Sequence, residues 1–275
     1  MYKIILYKNL DKLDQYLEEA IFNHIKGDSI EHFESLKNIC LISFDWYNPV
    51  ESLGGPSRLV IYFSEDDLFF VCKDETLLDK VNSIFVESPE KDKTLFDFFR
   101  ALIKPDMEYL DKLEDEIDNL EDNLLIHAQT KCANSIVMYR KKLMKIKKYY
   151  KQLSIIFENM VQNENNFISA KYIRHFVILN NRINTLLGMV FDLRDLITHL
   201  REAYQAQIDI EQNAIMRIFT VIAAIFLPLT LIAGWYGMNL KMPEVGWVYG
   251  YPAVIALSVT VCVTCIAIFK RKKWF

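Results

Sequence analysis

Two runs of uncharged, mostly apolar residues stand side by side near the end of this chain of 275 residues. The first run covers 23 positions, 218–240, and the second covers 25 positions, 245–269. A helix rises about 1.5 Å per residue, so about 20 apolar residues cross a hydrocarbon core of about 30 Å. The pair therefore predicts a hairpin of two transmembrane helices, and a buried hairpin in a large soluble protein is the disfavoured alternative.

Basic residues that flank the two runs predict the orientation of this hairpin. Arg217 precedes the first span, and four consecutive basic residues at 270–273 follow the second span. The charged residues of the turn between the spans are Lys241 and Glu244. Because cytoplasmic loops carry the excess of Lys and Arg, we expect a cell-membrane protein with both termini in the cytoplasm and the Glu244 turn outside.

The first 210 or so residues are polar enough to hide the two spans, and the mean hydropathy of the whole chain is only +0.08. Residues 1–100 mix strand and helix signals and predict a small α/β domain. Helices are predicted over 10–25 and 76–85, and a turn at 64–67 should join two strands as a hairpin. Short runs rich in β-branched and aromatic residues predict strands at 4–6, 39–44, 59–63 and 68–72.

After Pro105 the pattern becomes long helix, since residues 106–227 contain no proline and Gly188 as their one glycine. Heptad-like apolar spacing predicts helices that fold back on one another. The expected fold class is an α+β cytosolic domain followed by a long helical stalk and two transmembrane helices. The expected segments are antiparallel helices at 101–165, a stalk helix at 166–217, a first span at 218–240 continuous with the stalk, an outer loop at 241–246, a second span at 247–269 and a basic tail at 270–275.

Two stretches of the helical region carry opposite charge. Residues 106–122 contain nine acids against Lys112 alone, and residues 140–151 contain seven bases and no acid. The simpler interpretation is two solvated helix faces, and the alternative is an acidic tip that gathers cations beside a basic cluster that faces anionic partners. The net charge of −4, with no phosphate-binding glycine motif and no nucleophile–base pair, predicts no nucleic-acid partner, no cofactor and no enzymatic activity.

Cysteine spacing raises one question of chemistry. Cys262 and Cys265 have the spacing of a metal or redox pair, but they lie in the second span among Val, Thr and Ala. We interpret them as small packing residues.

Small and polar residues recur every 3.5 residues along the first span. A stripe of this kind is either a helix-packing seam, which is its commoner use in membranes, or the lining of a pore. The same register continued upstream meets four carboxylates, and rings of acids concentrate cations, so the pattern favours a cation pathway. The seam consists of Asn213, Met216, Thr220, Ala223, Leu227, Thr230, Gly234 and Gly237, and the upstream acids are Asp192, Asp195, Glu202 and Asp209.

The end of the first span resembles a known family. Tyr236-Gly237-Met238-Asn239, followed by Met242-Pro243-Glu244, is similar to the CorA family of magnesium channels. The similarity is dense over residues 213–275, whereas upstream only the order of the parts corresponds. Further matches are Pro228-Leu229-Thr230, Ile232-Ala233-Gly234 and the closing Lys272-Lys273-Trp274-Phe275.

The resemblance implies a homopentameric funnel in the bilayer, with the first span lining the pore and the second span outside it. Gly237, Met238 and Asn239 would form the outer selectivity ring, where Asn239 amide oxygens bind Mg²⁺ through its water shell, because Mg²⁺ dehydrates reluctantly. Inward flux would be passive, since 100 mV supplies about 4.6 kcal/mol per Mg²⁺. Within the seam, Met216, Ala223 and Leu227 would be the hydrophobic constriction, and Asn213 and Thr230 polar stations.

One departure from the family concerns regulation. The family's intracellular Mg²⁺ sensor includes an acid on the stalk, and an ungapped register places Ile178 there. Residues 165–191 contain no acid at all. Glu65, Asp66 or Asp67 could supply one half of such a site, but the sequence offers no partner for it.

Two alternatives remain open at this point. A relative that moves Zn²⁺, Co²⁺ or Ni²⁺ would have the same architecture, and Met238 favours Mg²⁺ because the related zinc transporters usually differ at this position. A helical membrane receptor belongs to another functional class. The outer turn of about six residues leaves no room for a sensory domain, which disfavours the receptor.

Overall fold

The structure is a computed structural model that describes residues 1–27, 30–36, 39–48, 55–126, 130–238 and 247–272. The chain divides into two compact units, Met1–Glu202 and Ala203–Phe275. The first unit holds the sheet and most of the helices, and the second holds the apolar helices.

A five-stranded sheet forms the centre of the first unit. Its spatial order is β1-β5-β4-β3-β2, with β1 parallel to β5 and the other pairs antiparallel. The four predicted strands and the β4–β5 hairpin are confirmed, and the backbone N–H of Ser64 donates to the Asp67 carbonyl at 2.9 Å across that turn. The sequence did not predict β2, whose four residues have little apolar alternation. The strands are β1 (Tyr2–Leu6), β2 (Phe33–Leu36), β3 (Ile39–Trp46), β4 (Ser57–Ser64) and β5 (Leu68–Cys72).

A short helical segment covers one face of the sheet. The chain forms a 3₁₀ helix (Tyr7–Leu13) and then α1 (Glu19–Lys26), so the single helix predicted over 10–25 is wrong. Glu18 is extended, with ψ 140°, and separates the two. The apolar spacing changes there from three residues, which suits a 3₁₀ turn, to four, which suits an α-helix. Residues that face this core include Leu10, Leu13, Leu17, Ile21 and Ile25.

Aromatic side chains fill the opposite face of the sheet. Phe70 of β5 lies 4.7 Å from Phe98, and Phe99 lies 6.1 Å from Phe44 of β3 and 5.1 Å from Phe157, measured between ring centroids. Phe98 and Phe99 belong to α3 (Lys91–Ile103), a helix that the sequence did not predict, and α2 (Glu75–Ile84) confirms the helix predicted over 76–85. The sheet is therefore buried on both faces.

The acidic and basic stretches lie on neighbouring helices, α4 (Asp106–Ile126) and α5 (Thr130–Gln162). The Tyr139 hydroxyl of α5 donates to Glu116 of α4 at 3.3 Å, and Lys142 lies 5.1 Å from the Tyr109 ring centroid. Most of the acids are exposed, and the described part of the chain holds no group of three His, Cys, Asp or Glu placed to bind a metal. This arrangement supports the interpretation as solvated helix faces.

Two helices are long and apolar enough to cross a membrane, α6 (Ala170–Tyr236) and α7 (Gly250–Arg271). Their apolar segments are almost entirely exposed within the chain, unlike the core helices of a soluble protein. α6 is 67 residues long and contributes to both units, so the stalk and the first span form one helix. α7 begins three residues after the predicted start at 247. Pro252 lies in its first turn, where a missing N–H breaks no helical hydrogen bond.

Asp106 is a buried acid at the first residue of α4, with 3% of its surface exposed. Burial raises the pKa of its carboxyl to about 6, and Tyr150, Arg182 and Lys80 offset this only in part. Within the described residues, neither Asp106 Oδ2 nor the Tyr150 hydroxyl has a partner at ordinary hydrogen-bond geometry. The loss of hydration therefore raises the pKa of Asp106 more than the neighbouring groups lower it.

We expect Asp106→Asn to remove a pH dependence of stability. The pKa of Asp106 lies above its usual value of 3.8 in the folded protein, so the folded state binds more protons than the unfolded state between these values. The free energy of unfolding of the wild type should then fall by about 3 kcal/mol as pH rises from about 4 to 6, and stay low above that.

Thermal unfolding in detergent at pH 4.5 and pH 7 measures this effect. Asp111→Asn, at an exposed position of the same helix, is the matched control and should retain the wild-type pH dependence. An Asp106→Asn protein with that same pH dependence would contradict the assignment.

Candidate functional site

The predicted seam is an exposed face of α6 in the second unit. Leu227 is 70% exposed and Met216 is 62% exposed, although both are large and apolar. No described residue of the chain covers this face, which leaves it free for lipid or for other copies of the chain. All of the seam residues on α6 are exposed: Asn213, Met216, Thr220, Ala223, Leu227, Thr230 and Gly234.

The opposite face of α6 is the covered one. Val221 is 4% exposed, and Ile225, Pro228 and Ile232 are half-buried. α7 supplies the contact, with the Cys265 thiol 3.7 Å from the Ala224 carbonyl oxygen. The apolar segment of α6 thus has one face packed on α7 and one face that no described residue covers.

Hydroxyl groups on the seam are already bonded within the helix. The Thr220 hydroxyl donates to the Met216 carbonyl at 2.7 Å, and the Thr230 hydroxyl donates to the Phe226 carbonyl at 2.8 Å. Each hydroxyl oxygen keeps lone pairs that can accept a hydrogen bond from water or from the hydration shell of a cation. Ala223 and Leu227 lie between the two threonines, so the seam contains both polar and apolar positions.

The C-terminal end of α6 requires a glycine. Helix α6 ends at Tyr236, and the Gly237 N–H donates to the Ala233 carbonyl at 2.8 Å. A Cβ at residue 237 would lie 2.8 Å from that carbonyl oxygen, whereas a Cβ at Gly234 would meet nothing within 4 Å. Met238 is 52% exposed. Asn239 and Glu244, the other residues predicted for this end, lie outside the described residues.

The predicted funnel acids are exposed on α6. Asp192, Asp195 and Glu202 lie in the first unit, on the side of α6 opposite its buried apolar residues, and Asp209 is exposed in the second unit. Glu202 Oε2 lies 3.9 Å from His199 Nδ1. These acids are spaced along a helix and, within the described part of one chain, do not converge on a metal site.

Aromatic residues cluster near the C-terminal end of α6 and the N-terminal end of α7, a feature from which the sequence analysis drew no prediction. Trp235, Trp247, Tyr249 and Tyr251 are 59–79% exposed, and the rings of Trp247 and Tyr249 are in edge contact. Trp and Tyr are enriched at membrane–water interfaces. Their clustering between positions 235 and 251 was the available signal.

Ile178 stands where the family resemblance implies an acid on the stalk, and the groove around it is lined mainly by basic and apolar side chains. Ile178 is 59% exposed in a groove that also contains Lys93, His175 and Arg182. Glu90 lies in the same groove, but its carboxylate accepts from the Lys171 ammonium at 2.9 and 3.1 Å. Asp97 also lines the groove, and its Oδ1 lies 3.9 Å from Arg100 Nη1. Both carboxylates of the groove therefore already have a basic neighbour.

The acids at 65–67 already have a cationic neighbour. The Lys91 ammonium donates to the Ser64 carbonyl at 2.8 Å, and Glu65, Asp66 and Asp67 favour its positive charge. Burial is the larger effect and lowers the pKa of Lys91. A resident cation beside these acids reduces their attraction for a divalent ion.

Solved structures with the same fold include the complete structure of the CorA magnesium transporter from Methanocaldococcus jannaschii. Its TM-score is 0.78 at 22% identity, and the match covers 98% of this chain and 88% of that one. The full-length CmaX protein matches with a TM-score of 0.71 at 16% identity, covering 94% and 82% of the two chains. At these identities the likeness shows the fold alone.

Curated relatives are similar over different lengths. The cobalt/magnesium transport protein CorA of Thermotoga maritima is 27% identical over 263 residues, which are 93% of this chain and 75% of that protein. The magnesium transport protein CorA of Mannheimia succiniciproducens is 47% identical over 79 residues, which are 28% of this chain and 25% of that protein. A family model described as CorA-like Mg²⁺ transporter protein matches residues 11–271. The chain belongs to the CorA-like Mg²⁺ transporter family.

Proposed function

We propose that this protein is a membrane channel that carries Mg²⁺ passively through a pore lined by α6. The observation that supports this most directly is the exposed seam, where polar and apolar positions share a face that α7 does not cover. Membership of the CorA-like family and the names of the relatives point to the same cargo. The protein is a transporter rather than an enzyme.

The pore requires several copies of the chain, because one helix face encloses nothing. Five copies, the number that the family resemblance implies, would bring the seams together around an axis. Gly234 and Ala223 present little side-chain volume, which suits a close approach of neighbouring helices. Met216 and Leu227 would then form apolar rings, and Asp192, Asp195, Glu202 and Asp209 would line the cytosolic entrance.

Ion selection is proposed for residues 237–239. Amide oxygens of Asn239 would accept hydrogen bonds from the water shell of Mg²⁺, which spares the high cost of dehydrating the ion. Gly237 has a role in this chain's own geometry, since a larger residue would collide with the Ala233 carbonyl oxygen. The membrane potential would supply the driving force.

The orientation follows from the two kinds of residues at the helix ends. Arg217, Lys270 and Arg271 are exposed at one end of the apolar segments, and the exposed aromatics lie toward the other. The positive-inside rule then places the basic end, and with it both termini, in the cytoplasm.

Co²⁺ is a second candidate cargo, because the Thermotoga relative is named a cobalt/magnesium transport protein. A Zn²⁺ transporter is less well supported. The ZntB cytoplasmic domain from Vibrio parahaemolyticus matches with a TM-score of 0.59 at 12% identity and covers 71% of this chain.

Asn239→Ala and Gly237→Ala should each reduce Mg²⁺ influx into liposomes by at least about tenfold, a loss of about 1.4 kcal/mol or more. The first removes the amide acceptors, and the second adds a Cβ 2.8 Å from the Ala233 carbonyl oxygen. Size measurement of the detergent-solubilised protein should show unchanged assembly. Wild-type influx through a correctly assembled Asn239→Ala protein would rule out the selectivity ring, and inactive wild type would rule out the channel itself.

Met216→Gly and Leu227→Gly should leak Mg²⁺, because a hydrophobic gate that closes by dewetting needs large apolar side chains. Phe219→Gly is the matched control. It is 64% exposed, lies off the seam and has the same loss of helix propensity, about 1 kcal/mol. Leak through Phe219→Gly but not through Met216→Gly would show that the seam has been assigned to the wrong face of α6.

Closure should depend only weakly on cytosolic Mg²⁺, because Glu90 and Asp97, the carboxylates of the groove around Ile178, already have basic neighbours. Currents recorded while Mg²⁺ is stepped on the cytosolic side test this directly. The Asp66→Asn/Asp67→Asn variant should respond like the wild type. Steep closure at low Mg²⁺ that this variant loses would reveal a sensor and contradict the prediction.

A further inference from the structure

Pro228 leaves a backbone carbonyl of α6 without its helical partner. In an α-helix the N–H of each residue bonds to the carbonyl four positions earlier, so residue 228 would pair with Ala224. Proline has no N–H, and Pro228 lies within α6. In hydrocarbon no water replaces the lost bond, and the carbonyl needs a donor from elsewhere in the protein.

The structure supplies that donor from α7. The Cys265 thiol donates to the Ala224 carbonyl at 3.7 Å, a contact between residues 41 positions apart. A thiol is a weak donor with a long bond, so this distance is ordinary for sulfur. Both residues are half-buried, which protects the contact from competition.

Other donors on α7 are used differently. Ser258, Thr260 and Thr264 donate to carbonyls four residues earlier in their own helix, at 2.7–2.9 Å. Cys265 instead reaches the other helix, at the one carbonyl of the first span that Pro228 frees. Cys265 thus donates to the carbonyl that lacks its helical N–H partner, and this contact distinguishes it from a small packing residue.

We propose that Cys265 is a positioning residue of the pore helix, whose thiol replaces the hydrogen bond that Pro228 removes. Ala224 and Pro228 directly follow Ala223 and Leu227, which are exposed on the seam. A donor held on the covered face therefore fixes the helical turn that presents these two side chains on the open face. The role in closure rests on the proposed function, whereas the contact itself does not.

A cycle of variants tests the contact without any assay of transport. The S–H stretching band of Cys265, identified by its loss in Cys265→Ala, should lie at the frequency of a hydrogen-bonded thiol. In Pro228→Ala the new N–H at residue 228 competes for the Ala224 carbonyl and weakens its bond with the thiol, so this band should move toward the frequency of a free thiol. A band that Pro228→Ala leaves unchanged would overturn the proposal.

Transport then tests the positioning role, with Mg²⁺ influx into liposomes as the measurement. Cys265→Ala should raise basal influx about threefold, the effect expected for one interhelical hydrogen bond in a membrane. Cys265→Ser keeps a donor and should restore the wild-type rate. Cys262→Ala, also half-buried on α7, is the matched control and should leave influx unchanged.

The double variant Pro228→Ala/Cys265→Ala should behave like Pro228→Ala alone. Equal influx through Cys265→Ala and Cys265→Ser, or an unchanged effect of Cys265→Ala in the Pro228→Ala background, would refute the positioning role. If the wild type carries no Mg²⁺, the proposed function fails, and the melting temperatures of the wild type, Pro228→Ala, Cys265→Ala and the double variant then decide the cycle. Independent, additive shifts in melting temperature would overturn the proposal in that case.

Discussion

Hydrocarbon offers no hydrogen bonds, and this constraint governs the second unit. Every backbone N–H and carbonyl in the apolar segments must find a partner within the protein, which leaves helices as the available structure for two short spans. Pro252 lies in the first turn of α7, where the missing N–H removes no helical hydrogen bond. Pro228 is the exception in α6, and the hydrogen bond from Cys265 is a local answer to it. Even the hydroxyl groups of the seam threonines donate to backbone carbonyls of α6.

A second consequence is that α6 has two different faces in its apolar segment. α7 is one helix and covers one side of α6, so Val221 becomes buried while Leu227 stays exposed. An exposed leucine is ordinary in lipid, but a stripe that combines threonine with alanine, leucine and glycine is less suited to lipid alone. In the proposed channel, other copies of the chain would complete the surface around that stripe.

The first unit depends on a different balance. Its sheet is buried on both faces by aromatic and aliphatic side chains. The hydrophobic effect stabilises this packing, because the side chains are removed from water. The nine acids of the 106–122 stretch illustrate how burial separates similar side chains. Most of them stay in water and need no partner, whereas the burial of Asp106 raises its pKa to about 6. Composition alone cannot make that distinction, because it depends on which helix face is covered.

Local patterns in the sequence determined much of this protein: four strands, the β4–β5 hairpin, two apolar helices long enough to cross a membrane, and the residues at 236–239 that carried the family resemblance. These features depend on residues close together in the chain, where periodicity and turn chemistry act directly. The 3₁₀ helix at Tyr7–Leu13, β2 and α3 were decided by tertiary packing, since their local signals are short or ambiguous. Tertiary structure also decided that Ile178 lies among basic side chains and that Cys265 reaches Ala224. Contacts between residues far apart in the chain depend on how helices pack, and no local pattern specifies that packing.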